Sequence, residues 1–273
     1  MNIVLRVIQF IVYSNILVAI CAVCLSMSSQ IMIESYNNSI NYFVFFSTLS
    51  AYNFQRIIRL KKEEENHKLR WLFRYKKIIY FFIPLCVIMS LYFFINFNLK
   101  SQISIFIASI ISILYPFGLR KIPVFKIIFI SIVWTIITSL IFLFENNISI
   151  NQEQLLHLIS RFLFVFAITI PFDIRDMKID DQKFKTIPIL IGEKRSKLVA
   201  IYSIILVMVI YLQLFYKNSL SINNLSSIII ILFITSLLIL KSHHKKDELY
   251  FSLWIESTSI MFYLILRLSS WIV

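Results

Sequence analysis

Three aspartates, Asp173, Asp176 and Asp180, stand three and then four residues apart. On a helix that spacing puts all three on one face. Carboxylates gathered so closely repel one another unless positive charge sits among them. A hard divalent cation such as Mg²⁺ is a natural partner, since it takes oxygen ligands and bridges carboxylates to substrate phosphates. The stretch also holds Arg175, Lys178, Lys183 and Lys185. On spacing alone, a solvated loop neutralised by its own basic residues is an equal reading. A second chemically rich stretch spans residues 53–77, where Arg56, Arg59 and Lys61 precede Glu63, Glu64 and Glu65. Its basic side chains suit phosphate groups or, more simply, anionic lipid headgroups.

The elements that must position these residues follow from composition. The chain has 273 residues, 59% of them hydrophobic and 15% charged, which is more apolar surface than one soluble core can hide. A lipid solvent removes the need to hide it, so the fold class expected is an all-α membrane protein. With two Gly and five Pro, long helices and simple loops are expected. A span needs about 20 apolar residues. That ruler gives nine candidate transmembrane helices, at 5–29, 40–58, 78–97, 101–117, 124–144, 155–172, 198–216, 225–240 and 250–271, forming a single polytopic domain over 1–273. The run after Arg6 is too long for a signal-peptide core and lacks a small-x-small site, so it reads as the first membrane helix.

Charge sets the orientation. Assigning the connections alternately to two sides places 23 of the 27 Lys and Arg on one side. By the positive-inside rule the N-terminus is cytoplasmic and the C-terminus outside. The net charge of +13 therefore reports topology, and no nucleic-acid partner is expected. Both rich stretches fall on the cytoplasmic side, where loops carry chemistry. Cys21 and Cys24 form a C-x-x-C inside an apolar run and read as small core residues rather than a redox pair. Arg161, Glu256 and Arg267 lie inside spans, where charges face the protein interior, a wet cavity or an interface. Ser14 and Asn15 are polar positions that face a cavity or bond a neighbouring helix. The adjacent His243 and His244 point apart on a helix, which argues against a metal site there.

A resemblance joins these residues. Asp173-x-x-Asp176-x-x-x-Asp180, followed by Lys185-Thr186-Ile187-Pro188 and Gly192-Glu193-Lys194-Arg195, resembles the second aspartate-rich motif of the UbiA family of intramembrane prenyltransferases. The segment Tyr115-Pro116-Phe117-Gly118-Leu119-Arg120-Lys121 is similar to the end of that family's fourth helix. The resemblance implies a UbiA-like bundle of about nine helices in a membrane of the bacterial inner-membrane type. It further implies transfer of an isoprenyl group from an isoprenyl diphosphate to a small, often aromatic acceptor, with the prenyl tail open to membrane lipid. Such a protein is a transferase of alkyl groups other than methyl. The site it implies has Mg²⁺ on Asp173, Asp176 and Asp180, the diphosphate among Asn53, Arg56, Lys61, Arg120 and Lys121, and Tyr115 beside the reacting carbon, with Tyr115 and Asp176 catalytic.

The pattern breaks at the family's first motif, roughly Asn-x-x-x-Asp-x-x-x-Asp. Asn53 matches, but Ile57 and Lys61 stand where the aspartates belong. Either Arg56 or Lys61 binds the diphosphate directly beside a single Mg²⁺, or ionisation is lost. In the latter case the protein is a non-catalytic isoprenoid-binding or scaffolding descendant. A prenyl-diphosphate cyclase on the same scaffold is the remaining alternative. A transporter would show repeats and broken helices near the midplane, and neither is evident in the sequence.

Overall fold

The computed structural model describes residues 3–60, 67–119, 122, 124–177 and 186–269, and among them every regular element is helical. In order these are α1 (Ile3–Tyr13), α2 (Ile16–Met32), α3 (Asn38–Leu60), α4 (His67–Ile95), α5 (Leu99–Leu114), α6 (Phe125–Thr135) and α7 (Ile141–Glu145). They continue with α8 (Gln152–Asp176), α9 (Ile187–Ile191), α10 (Glu193–Tyr216), α11 (Ile222–Lys241) and α12 (Thr258–Ser269). A π turn at Ile136–Leu140 joins α6 to α7, and another at Tyr250–Ile255 leads toward α12. Of these elements, the five running Phe125–Glu145, Gln152–Asp176, Glu193–Tyr216, Ile222–Lys241 and Tyr250–Ser269 are long and apolar enough to cross a membrane. A sixth counts if the α1–α2 pair is one span.

Local chemistry sets several boundaries. The Asn98 side chain accepts from Ser101 N–H (2.9 Å) to start α5, and Asn151 accepts from Glu153 N–H (2.9 Å) and Gln154 N–H (3.2 Å) to start α8. Ser221 does the same for α11, accepting from Asn224 N–H (3.2 Å). Each satisfies donors that a helix leaves bare at its start. The first apolar run, expected as one helix, is broken. α1 and α2 meet at 69°, with Asn15 in the left-handed region at φ 63°. Asparagine tolerates that conformation better than other non-glycine residues, and its side chain finds partners there that a straight helix would deny it.

α2 is the innermost helix. Ala19, Cys21, Ala22, Ser26, Ser28 and Ser29 are all buried, and such small side chains let neighbouring backbones approach closely. Cys21 and Cys24 are free thiols. α2 packs on α3 and α12, α12 on α11, α11 on α10, α10 on α8, and α8 on α6, while α3 packs on α4 and α5 on the α6–α7 helix. Among the described residues α4 and α5 make few close contacts with each other, so the two helices part. The outward faces carry residues such as Phe81, Phe106 and Phe233, over 60% exposed, as a lipid solvent permits.

Arg161 lies inside the bundle at 1% exposure. Its Nη2 donates to Ser28 Oγ (2.7 Å) and Ser29 Oγ (3.0 Å), its Nε donates to Ser139 Oγ (3.3 Å), and its guanidinium lies 5.5 Å from the Phe262 ring centre. Hydroxyl oxygens and an aromatic face thus solvate the cation in place of water.

Candidate functional site

The acidic end of the site is built by the last turns of α8. Pro171 lacks the N–H that would bond the Ala167 carbonyl, which loosens the helix just before Asp173. Asp173 is 1% exposed, and Lys126 from the first turn of α6 brings its Nζ to 2.5 Å from Asp173 Oδ1. One turn on, Asp176 receives Arg175 through both carboxylate oxygens, Nε to Oδ1 at 2.7 Å and Nη2 to Oδ2 at 3.3 Å. The Arg175 guanidinium also lies over Phe172 (5.3 Å) and Phe251 (5.9 Å). α8 ends at Asp176, so the described helix carries two of the three expected aspartates. Asp180 lies outside the described residues, as do Lys61, Arg120 and Lys121.

Opposite, α3 closes on the break between α1 and α2. Asn15 Nδ2 donates to Asn53 Oδ1 (2.9 Å), and Asn53 Nδ2 donates to the carbonyls of Ser14 (3.1 Å) and Leu49 (2.9 Å). Arg56 donates through one guanidinium nitrogen to the Tyr13 carbonyl and through the other to Asn15 Oδ1. Asn53, expected beside the diphosphate, is thus turned into the helix break and buried, while Asn15 and Arg56 line the cavity next to it.

Between these walls lies a cavity of about 730 Å³. Lys126, Asp173, Arg175, Asp176, Arg56 and Glu256 form its polar end. Tyr115, Tyr52, Trp134 and Phe172 line it nearby, with Trp134 Nε1 donating to Tyr52 Oη (3.0 Å). The rest is mainly apolar with scattered hydroxyls such as Ser47, Thr48 and Ser90, with Phe43, Phe94 and Ile105 inside and the exposed Leu91 and Phe106 at the rim, where α4 and α5 part. The hollow therefore has a charged head and a greasy body that opens sideways. Lys126 is the residue that sequence reasoning missed. It counted only as an inner-side charge, although a lysine in the first turn of an otherwise apolar helix on the aspartates' side was a signal.

A model of the UbiA prenyltransferase family matches residues 73–263. The chain belongs to the UbiA prenyltransferase family. No curated protein matches it in sequence. In fold it is similar to a UbiA homolog from Archaeoglobus fulgidus bound to GPP and Mg²⁺, at a TM-score of 0.68 and 13% identity over 94% of this chain and 99% of that one. It is also similar to the apo UbiA homolog from Aeropyrum pernix K1, at 0.68 and 11% over 93% and 97%. Digeranylgeranylglyceryl phosphate synthase aligns at 0.63 and 15% over 96% of each chain.

The UbiA fold raises the question of Mg²⁺. At the second motif the donors fit one ion, because Asp173 and Asp176 offer two carboxylates one helical turn apart at the polar end of the cavity. Mg²⁺ is commonly held by one or two carboxylates together with substrate phosphates. At the first motif the donors do not fit. The Asn53 amide is committed to Asn15, Ser14 and Leu49, and Ile57 offers no donor atom.

Proposed function

We propose that this UbiA-family chain transfers an isoprenyl group from a prenyl diphosphate to a small acceptor. One observation carries the reading: a single cavity joins aspartates and cationic side chains at one end to a long apolar body open at the α4–α5 gap. A prenyl diphosphate has the same two-part chemistry, and the homolog bound to GPP and Mg²⁺ supports the same ligand pair.

Asp173, Asp176 and Asp180 would hold one Mg²⁺, whose charge stabilises the departing diphosphate when bound. Lys126 and Arg56 present cations to the phosphate oxygens, and Lys61, Arg120 and Lys121 are proposed to complete that shell. Asn53 acts as a positioning residue, holding Asn15 and through it Arg56. As the C1–O bond breaks, its electron pair leaves with the diphosphate. The allylic cation is steadied by the faces of Tyr115, Trp134 and Phe172. An acceptor carbon then bonds to C1 and gives up a proton. The prenyl tail lies along Phe43, Phe94 and Ile105 and emerges into lipid past Phe106. We place nine crossings in an inner membrane, with the N-terminus cytoplasmic, on the strength of the basic connections.

A second reading is a non-catalytic isoprenoid-binding descendant. The completed Lys126–Asp173 and Arg175–Asp176 pairs favour it, because each acid already has a cation. Pyrophosphate release from radiolabelled prenyl diphosphates by the purified full chain separates the two. Mg²⁺-dependent release abolished by Asp176→Asn supports the transferase. Binding without release supports the descendant, and release with no acceptor present identifies a cyclase or hydrolase.

A further inference from the structure

A second set of metal-ligating side chains converges away from this cavity, where the start of α10 meets the turn after α11. We propose that Glu193, His243 and His244 form a binding site for a divalent cation of the zinc class, which clamps α10 to the α11–α12 connection.

Gly192, at φ 82°, lets the chain turn sharply between α9 and α10 and delivers Glu193 as the first residue of α10. The two histidines were expected to diverge on a helix. Instead α11 ends at Lys241, and a turn closed by Lys246 N–H on the His243 carbonyl (2.9 Å) brings both rings to one side, 4.2 Å apart. His244 Nδ1 lies 2.9 Å from Glu193 Oε2, and His243 Nε2 lies 3.8 Å from the same oxygen. All three ligand atoms fall within 4.8 Å of one another. Ligands of a tetrahedral ion with bonds of about 2.0–2.2 Å stand about 3.3–3.6 Å apart, so the 2.9 and 3.8 Å separations bracket what the ion needs.

The other carboxylate oxygen is engaged separately, with Lys197 Nζ at 2.8 Å from Oε1. Neighbouring charge is likewise directed elsewhere, since Lys246 Nζ sits over the Tyr250 ring at 5.1 Å. Two imidazoles and one carboxylate form a donor set suited to Zn²⁺ rather than to Mg²⁺, which prefers oxygen throughout. Water fills the fourth position. The Lys245 N–H donates to His243 Nδ1 (3.2 Å), so capture at Nε2 moves the ring proton to Nδ1 and releases that amide. A bound ion fixes the first turn of α10, directly downstream of the segment carrying Asp173 to Asp180.

The test is a Co²⁺ titration of the full chain in detergent after chelator stripping, read by the visible absorption of tetrahedral cobalt. One equivalent should bind, be displaced by Zn²⁺ and resist excess Mg²⁺. His243→Gln and His244→Gln should each weaken binding at least about tenfold, whereas Lys197→Met and Asp176→Asn should retain it. Absence of a saturable one-to-one tetrahedral band in the wild type overturns the proposal, whether or not the variants fold. Persistence of the band in the double histidine variant overturns it as well.

Discussion

Lys126 and Asp173 offer the sharpest quantitative prediction. Their charged atoms are 2.5 Å apart, and the two side chains are 10% and 1% exposed. At an effective dielectric of about 20 the attraction at that separation is about 7 kcal/mol, much of it offset by desolvation of both ions. Removing Lys126 alone takes the nearest cation from Asp173 while the acid stays buried. Lys126→Met is therefore expected to destabilise the chain by about 3–5 kcal/mol, a large share of a typical stability of about 5–15 kcal/mol. Replacing both partners by apolar side chains, in Lys126→Met with Asp173→Leu, should recover most of the loss. The assay is equilibrium unfolding in mixed micelles across the four-member cycle, with the exposed Lys100→Met as control. A cost for Lys126→Met below about 1 kcal/mol, the range of a surface ion pair, or a double variant as damaged as the two singles summed, would refute the reasoning.

Other predictions rest on separate parts of the structure. Arg161→Met should be better tolerated than Arg161→Ala, because methionine keeps the packing on Phe262 while alanine also leaves a cavity costing about 2–5 kcal/mol; comparative thermal unfolding checks the order. Asn53→Ala removes three hydrogen bonds at the α1–α2 break and should lower stability by about 1–3 kcal/mol, with weaker prenyl diphosphate binding through Arg56. Phe106→Ala, at the α4–α5 rim, should leave stability nearly unchanged and shift the preferred prenyl length, read by competition between short and long diphosphates. Asn151→Ala should cost about 1 kcal/mol by uncapping α8, again by unfolding in mixed micelles.

Much of this architecture was legible because lipid imposes a simple rule. The all-helical class followed from hydropathy and the scarcity of glycine, while of the nine expected spans five are long and apolar enough to cross a membrane among the described residues, or six if α1 and α2 form one. What stayed hidden depends on contacts distant in sequence. The break at Ser14 and Asn15 sits in an apolar run whose average hydropathy is blind to one left-handed residue, and Asn53 and Arg56, 38 and 41 positions away, complete its bonds. Asn53 matched the first motif by type, yet its chemistry faces a helix break. The Lys126–Asp173 pair joins the start of α6 to the end of α8, a contact that spacing within α8 could not reveal. His243 and His244 failed the helical argument because α11 stops two residues earlier.

The proposed chemistry requires the aspartates of α8 to hold an ion that in turn grips a diphosphate. Equilibrium binding of radiolabelled geranyl diphosphate to the purified chain, with and without Mg²⁺, tests it most directly. The expected result is Mg²⁺-dependent binding that Asp173→Asn and Asp176→Asn each abolish in folded protein. Binding of equal strength without Mg²⁺, unchanged in both variants, would contradict it.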